Sequence, residues 1–494
     1  MTAKIFTIGD SISQGFMSGA AANTEFCYST LISDAIKQKN YRYNKWDQRY
    51  KTKVDLERIL RTLEKRYGSN IRGLEWVGVA PTINSVLDQA EDYFERGDGR
   101  LGEPVLSPHT NEGFHNVAVE GMDVADVFQV TPKLCRTKIR TAKKRKDEFL
   151  GIANASFYRN AYRTLNPQGL KGEKKYGDYT AVDWLRHVSE EEGVENLLLW
   201  IGANNALGTV LSLNIKQTPN DPDRVLKADR DERSEWNLWH PNDFRAEYTI
   251  LLDKIVSAMK NNKCGEWRAF IGNIPLVTIA PLAKGVGEHR IIKDPAGTGR
   301  DCLYYQYYTY FPLSKESALK TGKYLKFKDA LFIDQTIIEF NKIIKDLVSS
   351  VNQSLGKDRL HVVDTSKALS EMAWKRNIGQ PTYKFPKELA FLHPQIDTKY
   401  YHSTRDGKLE KGGVFSLDGI HPSAIGQGLI AHEFLKEMKN VHSSAYQNAN
   451  LDWKGIVESD TLRQDPITLM SELYEHDGLI KFLAKIGNIL NMRD

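Results

Sequence analysis

Apolar residues along this chain gather into short runs that end abruptly. KIFTIG from Lys4, HNVAV from His115, NLLLWIG from Asn196, RAFIGNI from Arg268 and RLHVVD from Arg359 are mostly continuous rather than alternating, and polar or glycine-rich residues follow them. A strand with one wet face alternates; a continuous run marks a parallel strand covered on both faces. Helical spacing lies between and after these runs. TEFCYSTLISDAI follows the first, MDVADVF the second, and FRAEYTILLDKIVSAM precedes the fourth. IDQTIIEFNKIIKDLVSSV precedes the fifth and SAIGQGLIAHEFLKEM follows it. Strands alternating with helices predict a doubly wound α/β sandwich on a mainly parallel, five-stranded sheet.

The spacing is wider than a minimal sandwich needs. Extra segments at about 40–112, 131–190, 206–245, 283–325 and 366–413 mostly follow the carboxyl end of a predicted strand. The binding crevice of an open parallel sheet lies at those ends. One domain is therefore expected over 1–440, its insertions walling or covering a single site, with a helical extension over 441–494. That extension ends in GLIKFLAKIGNIL, which places Leu479, Phe482, Leu483, Ile486 and Leu490 on one face. Such a helix suits docking on the core, with peripheral membrane contact as the alternative.

Composition adds exclusions. Of 494 residues, 41% are hydrophobic and 27% charged, ample for a large core. A net charge of +5 predicts no large electropositive field, and so no nucleic-acid partner. Cys27, Cys135, Cys264 and Cys302 form no CxxC pair, which argues against a disulfide framework or a zinc site. MTAKIFTIGDS lacks the features of a signal peptide, and no apolar stretch reaches 18 residues. A cytoplasmic protein is expected, with leaderless export left open. There is no HExxH and no GxxxxGK[ST], and His393, His402 and His432 have no ligand spacing. Neither metal nor cofactor is expected, and the oligomeric state has no signal.

Four stretches carry candidate chemistry. In IFTIGDSISQG, Ser11 stands where a strand gives way to a helix. Either Asp10 or Ser11 is a simple helix cap, or Ser11 is a nucleophile beside the unpaired N–H groups of a helix start. In HNVAVEGMDV, Gly121 follows a strand and can turn its N–H into the crevice. In NLLLWIGANNALG, Asn204 lies just past a strand, where its amide can donate to a carbonyl oxygen or satisfy loop backbone. In FSLDGIHPSAIG, Asp418 and His421 stand three apart before a helix with its cap region at Pro422–Ser423. A histidine can serve a serine as base, and a nearby carboxylate can orient it. Together these are a nucleophile, two oxyanion donors and a base with its orienter.

In this order the blocks resemble those of the GDSL esterases and lipases, the SGNH hydrolases. GDS at Ser11, Gly121, Gly202-Ala203-Asn204 and DGIHPS match the pattern, as does IGNIPLVTIAP from Ile271. The resemblance implies a flavodoxin-like α/β/α fold, Ser11 as nucleophile, His421 as base and Asp418 as orienter. It implies an oxyanion hole made of the Ser11 and Gly121 N–H groups and the Asn204 amide. The chain departs from the family with GDSI for GDSL, and with Asn205 where an aspartate is usual. The expected activity is cleavage of a lipid-like or small acyl ester. Acyl transfer at the same site is one alternative, and a binding protein on a non-catalytic scaffold is another.

Two further signals favour structural roles. The basic run KLCRTKIRTAKKRK from Lys133 reads as a solvated helix face rather than an anion site. The tyrosines of DCLYYQYYTYF from Asp301 read as packing of an insertion rather than a stacking platform.

Overall fold

The computed structural model describes residues 2–20, 23–51, 53–96, 112–142, 151–442 and 444–471. The amphipathic 478–490 pattern and residues 143–146 of the basic run lie outside these.

Its main sheet has the order β1 (Ala3–Gly9), β2 (Val194–Trp200), β3 (Arg268–Gly272), β7 (Leu360–Val363), every pairing parallel. The continuous apolar runs account for this. Ile5, Phe6, Ile8, Leu197, Leu198, Leu199, Phe270 and Ile271 are all fully buried. Burying each such side chain stabilises by about 1.5–3 kcal/mol. The register pairs Gly9 with Trp200, Leu199 with Ile271 and Gly272 with Val363, so the carboxyl ends lie together at one edge.

The sheet has four strands, not the five expected. HNVAV runs beside β1, giving the Thr7 N–H an acceptor in the His115 carbonyl and bonding back through the Val117 and Val119 N–H groups. It forms only two isolated bridges, from Asn116 to Thr7 and to Tyr43. The next helix is also shorter than MDVADVF suggests, spanning Asp126–Gln129. Asp123 and Asp126 each accept the other's backbone N–H, an alternative to helix hydrogen bonding.

One group of helices on the sheet comprises Tyr28–Ala35 and Ala424–Val441; a second comprises Ala181–Glu191, Pro241–Ala258 and Phe327–Leu355. The insertion at 283–325 contributes β4 (Ala283–Lys293) and β5 (Asp301–Tyr310), an antiparallel pair continued by β6 (Leu325–Lys326). Tyr304 and Tyr308 on β5 are fully buried around Arg376, so these tyrosines pack the insertion down. A last small pair joins β8 (His402–Ser403) to β9 (Leu409–Lys411). Within the expected extension, Trp453, Ile456 and Val457 join the main core. Leu462, Ile467, Leu469 and Met470 pack with Val54, Ile59, Leu60 and Leu63 of the first insertion. The described part of the basic run, in helix Pro132–Thr141, pairs Lys133, Arg136 and Lys138 with Asp178, Glu173 and Asp231. No helix among the described residues is long and apolar enough to cross a membrane.

Candidate active site

β1 ends at Gly9 and the chain turns at once into the helix Ser11–Gln14. The turn needs glycine. A Cβ there would lie 2.1 Å from Ser13 Oγ and 2.7 Å from the Trp200 carbonyl oxygen. Asp10, not Ser11, caps this helix, accepting from the Ile12 N–H at 3.1 Å. The Ser11 hydroxyl meets His421 instead, with Oγ and Nε2 2.9 Å apart across 410 positions of sequence.

His421 and Asp418 belong to the turn before helix Ala424–Val441, which Ser423 caps through the Gly426 N–H. Asp418 Oδ1 accepts the Ile420 and His421 N–H groups at 2.9 and 2.8 Å. Its Oδ2 accepts from His421 Nδ1 and from the Gly19 N–H, both at 2.8 Å. A carboxylate only accepts, so Nδ1 carries the proton and Nε2 is left to accept from Ser11.

Burial works against both charges, but the pair outweighs it. Desolvation would raise Asp418, yet the His421 charge and the N–H bonds hold it below the ordinary carboxylate value. Desolvation would lower His421, yet Asp418, helped by Asp10 and Glu120, holds the imidazole above its ordinary value. The Phe16 ring lies against the imidazole, centroids 4.6 Å apart. Asp10 is pushed up to about 6, burial outweighing the Ile12 N–H bond and the His421 charge.

Gly121 and Asn204 line one cleft with Ser11 and His421. Gly121 has φ +79°, the left-handed region open to glycine. Its carbonyl accepts from Arg230 Nη2 at 3.2 Å, the Met122 carbonyl from Asn204 Nδ2 at 2.8 Å, and the Val124 N–H donates to Asn205 Oδ1 at 3.2 Å. The unexpected Asn205 is fully buried and also donates to Glu247 at 3.3 Å. An unprotonated aspartate there would have no proton to give Glu247.

No known protein family, curated protein or solved structure matches the chain. The site therefore stands on its geometry.

Two compartments meet at Ser11 and His421. One is lined by Leu276, Leu369, Met372, Val414, Leu429 and Ile430, and is almost wholly apolar. The other, which holds Gly121 and Asn204, is lined by Lys53, Glu120, Arg230, Phe16 and Phe157. No motif or spacing pointed to Lys53 or Arg230, both in long insertions. Glu120 was adjacent to Gly121 and could have been singled out on that ground. Among the described residues no group of three His, Cys, Asp or Glu side chains is arranged to hold a metal ion.

Proposed function

We propose that this protein is a serine hydrolase that cleaves carboxylic esters, of the GDSL/SGNH type. The observation that carries the reading is the hydrogen-bonded chain from Asp418 through His421 to Ser11, at 2.8 and 2.9 Å, with three backbone N–H groups fixing the carboxylate. The flavodoxin-like sandwich is part of the same proposal, supported by the parallel sheet and its two helix groups.

In this reading His421 Nε2 takes the Ser11 proton as Oγ attacks the ester carbonyl carbon. Asp418 stabilises the imidazolium without itself taking the proton. The Ser11 and Gly121 N–H groups and the Asn204 amide receive the developing oxyanion. His421 returns its proton to the leaving alkoxide, and water, activated the same way, releases the acid. The apolar compartment suits the hydrocarbon part of an acyl ester.

The second compartment beside His421 supports a second reading, acyl transfer to a bound alcohol instead of water. Product analysis with a competing alcohol separates the two. The primary test is labelling by a fluorophosphonate probe, lost in Ser11→Ala and His421→Ala. Equal labelling in all three proteins would remove Ser11 as nucleophile. A panel of p-nitrophenyl esters of graded chain length then reads the acyl preference.

A further inference from the structure

The charges of the polar compartment are paired within it. Lys53 Nζ lies 3.2 Å from Glu120 Oε1, and both residues are buried. Arg230, 7% exposed, is ion-paired with Asp126 and covers the Phe157 ring at 3.3 Å. No net charge is left to draw in a phosphate or an ammonium group. Two hydrogen-bonding atoms nevertheless stay unsatisfied there. Glu120 Oε2, an acceptor, and Arg230 Nε, a donor, are buried and have no hydrogen-bond partner. An unmet buried acceptor and an unmet buried donor on residues that line one cleft are complementary to hydroxyl groups, which both accept and donate.

The two compartments share Ser11, Leu207, Ile420 and His421, so an ester group held there would send its two halves different ways. A hydrocarbon in the polar compartment would leave Glu120 and Arg230 unsatisfied; in the other it meets an almost wholly apolar lining. The alcohol half then falls to the polar compartment, within reach of the His421 proton it needs on leaving.

We propose that Lys53, Glu120 and Arg230 form the alcohol subsite, and that it selects an uncharged, hydroxyl-bearing alcohol over both plain alkyl and charged alcohols. This rests on the ester-hydrolase reading, with the acyl half in the apolar compartment.

The test compares four esters of one medium-chain fatty acid: the ethyl ester, the glycerol monoester, the choline ester and the ester of glycerol 3-phosphate. In the wild type, kcat/KM for the glycerol monoester should exceed that for the ethyl ester by tenfold or more, with both charged esters below the ethyl ester. Glu120→Gln leaves Lys53 uncompensated, so the glycerol-to-ethyl ratio should fall at least fivefold while the phosphate ester rises relative to ethyl. Lys53→Met leaves Glu120 uncompensated, and the choline ester should rise instead. General structural damage would not move the two charged esters in opposite directions, and either variant carries the readout if the other fails to fold. A wild-type glycerol-to-ethyl ratio near one, a wild-type preference for a charged ester, or unchanged ratios in the variants would overturn the subsite while leaving the hydrolase intact. If no ester is turned over in a Ser11-dependent way, the hydrolase reading falls, and the subsite with it.

Discussion

The Gly19 N–H donates to the same oxygen of Asp418, Oδ2, that receives His421 Nδ1, each at 2.8 Å. The turn that follows Ser11 is thereby clamped to the loop that carries the histidine. Ser18 and Ser416 reinforce the clamp: the Ser18 N–H donates to Ser416 Oγ at 2.8 Å, and the Leu417 N–H donates to Ser18 Oγ at 3.3 Å. The clamp fixes the Ser11–His421 distance at its far side, through the orienting carboxylate.

Asp418→Asn should cost on the order of 10⁴-fold in kcat, because the amide no longer holds the right tautomer of His421. It should also shift the pH profile. His421 must be neutral to act as base, so activity rises as pH climbs through its pKa, which Asp418 holds above the ordinary value. Without that charge the acid limb moves to lower pH. A profile of kcat/KM against pH for a p-nitrophenyl ester checks both effects; an unmoved limb would show that Asp418 does not set the histidine's pKa.

Asp10 is predicted to weaken the fold as pH rises. Its folded pKa, about 6, lies above its ordinary value of 3.8, so the folded protein holds its proton more tightly than the unfolded chain. The resulting stabilisation is fully present below about 4 and is lost as pH climbs through about 6. It amounts to at most about 3 kcal/mol. Asp10→Asn keeps an acceptor for the Ile12 N–H and removes the titration. Its melting temperature should therefore exceed that of the wild type at pH 8, the gap closing by pH 4. Equal gaps at both pH values would contradict the assignment.

Asn204→Ala should lower kcat on the order of 100–1000-fold through loss of an oxyanion donor. The same change frees the Met122 carbonyl, so a melting curve is needed beside the kinetics. A kcat within threefold of wild type would take Asn204 out of the oxyanion hole.

Asn205→Ala should cost about 1–3 kcal/mol of stability, since the buried Val124 N–H and Glu247 both lose a partner. Denaturant unfolding measures it. No loss would mean that these two hydrogen bonds of Asn205 have no structural purpose.

Ser11, Asp418 and His421 were legible because each sits in a short motif whose local turn chemistry is written in adjacent residues. Asp418 reaches the His421 N–H three residues on, and Gly9 admits the turn into Ser11. The β1, β2, β3 and β7 runs were legible for a similar reason, continuous burial. HNVAV misled because Asn116 spends its side chain on the Ser13 carbonyl and Ser29 Oγ, while Arg42 takes the His115 and Asn116 N–H groups on its other side. MDVADVF misled because Asp123 and Asp126 serve Arg230 and Arg233, residues a hundred positions away, rather than a helix.

The sequence alone marked the runs that form β1, β2, β3 and β7, and Ser11, His421 and Asp418 as the proposed nucleophile, base and orienter, since periodicity and turn chemistry act between near neighbours. Tertiary structure decided that Asp418 Oδ2 also meets the Gly19 N–H, that the Ser11 hydroxyl meets His421, and that Lys53 and Arg230 line the cleft beside Ser11. Those outcomes depend on contacts between segments distant in sequence, where burial and charge pairing are set by the whole packed chain.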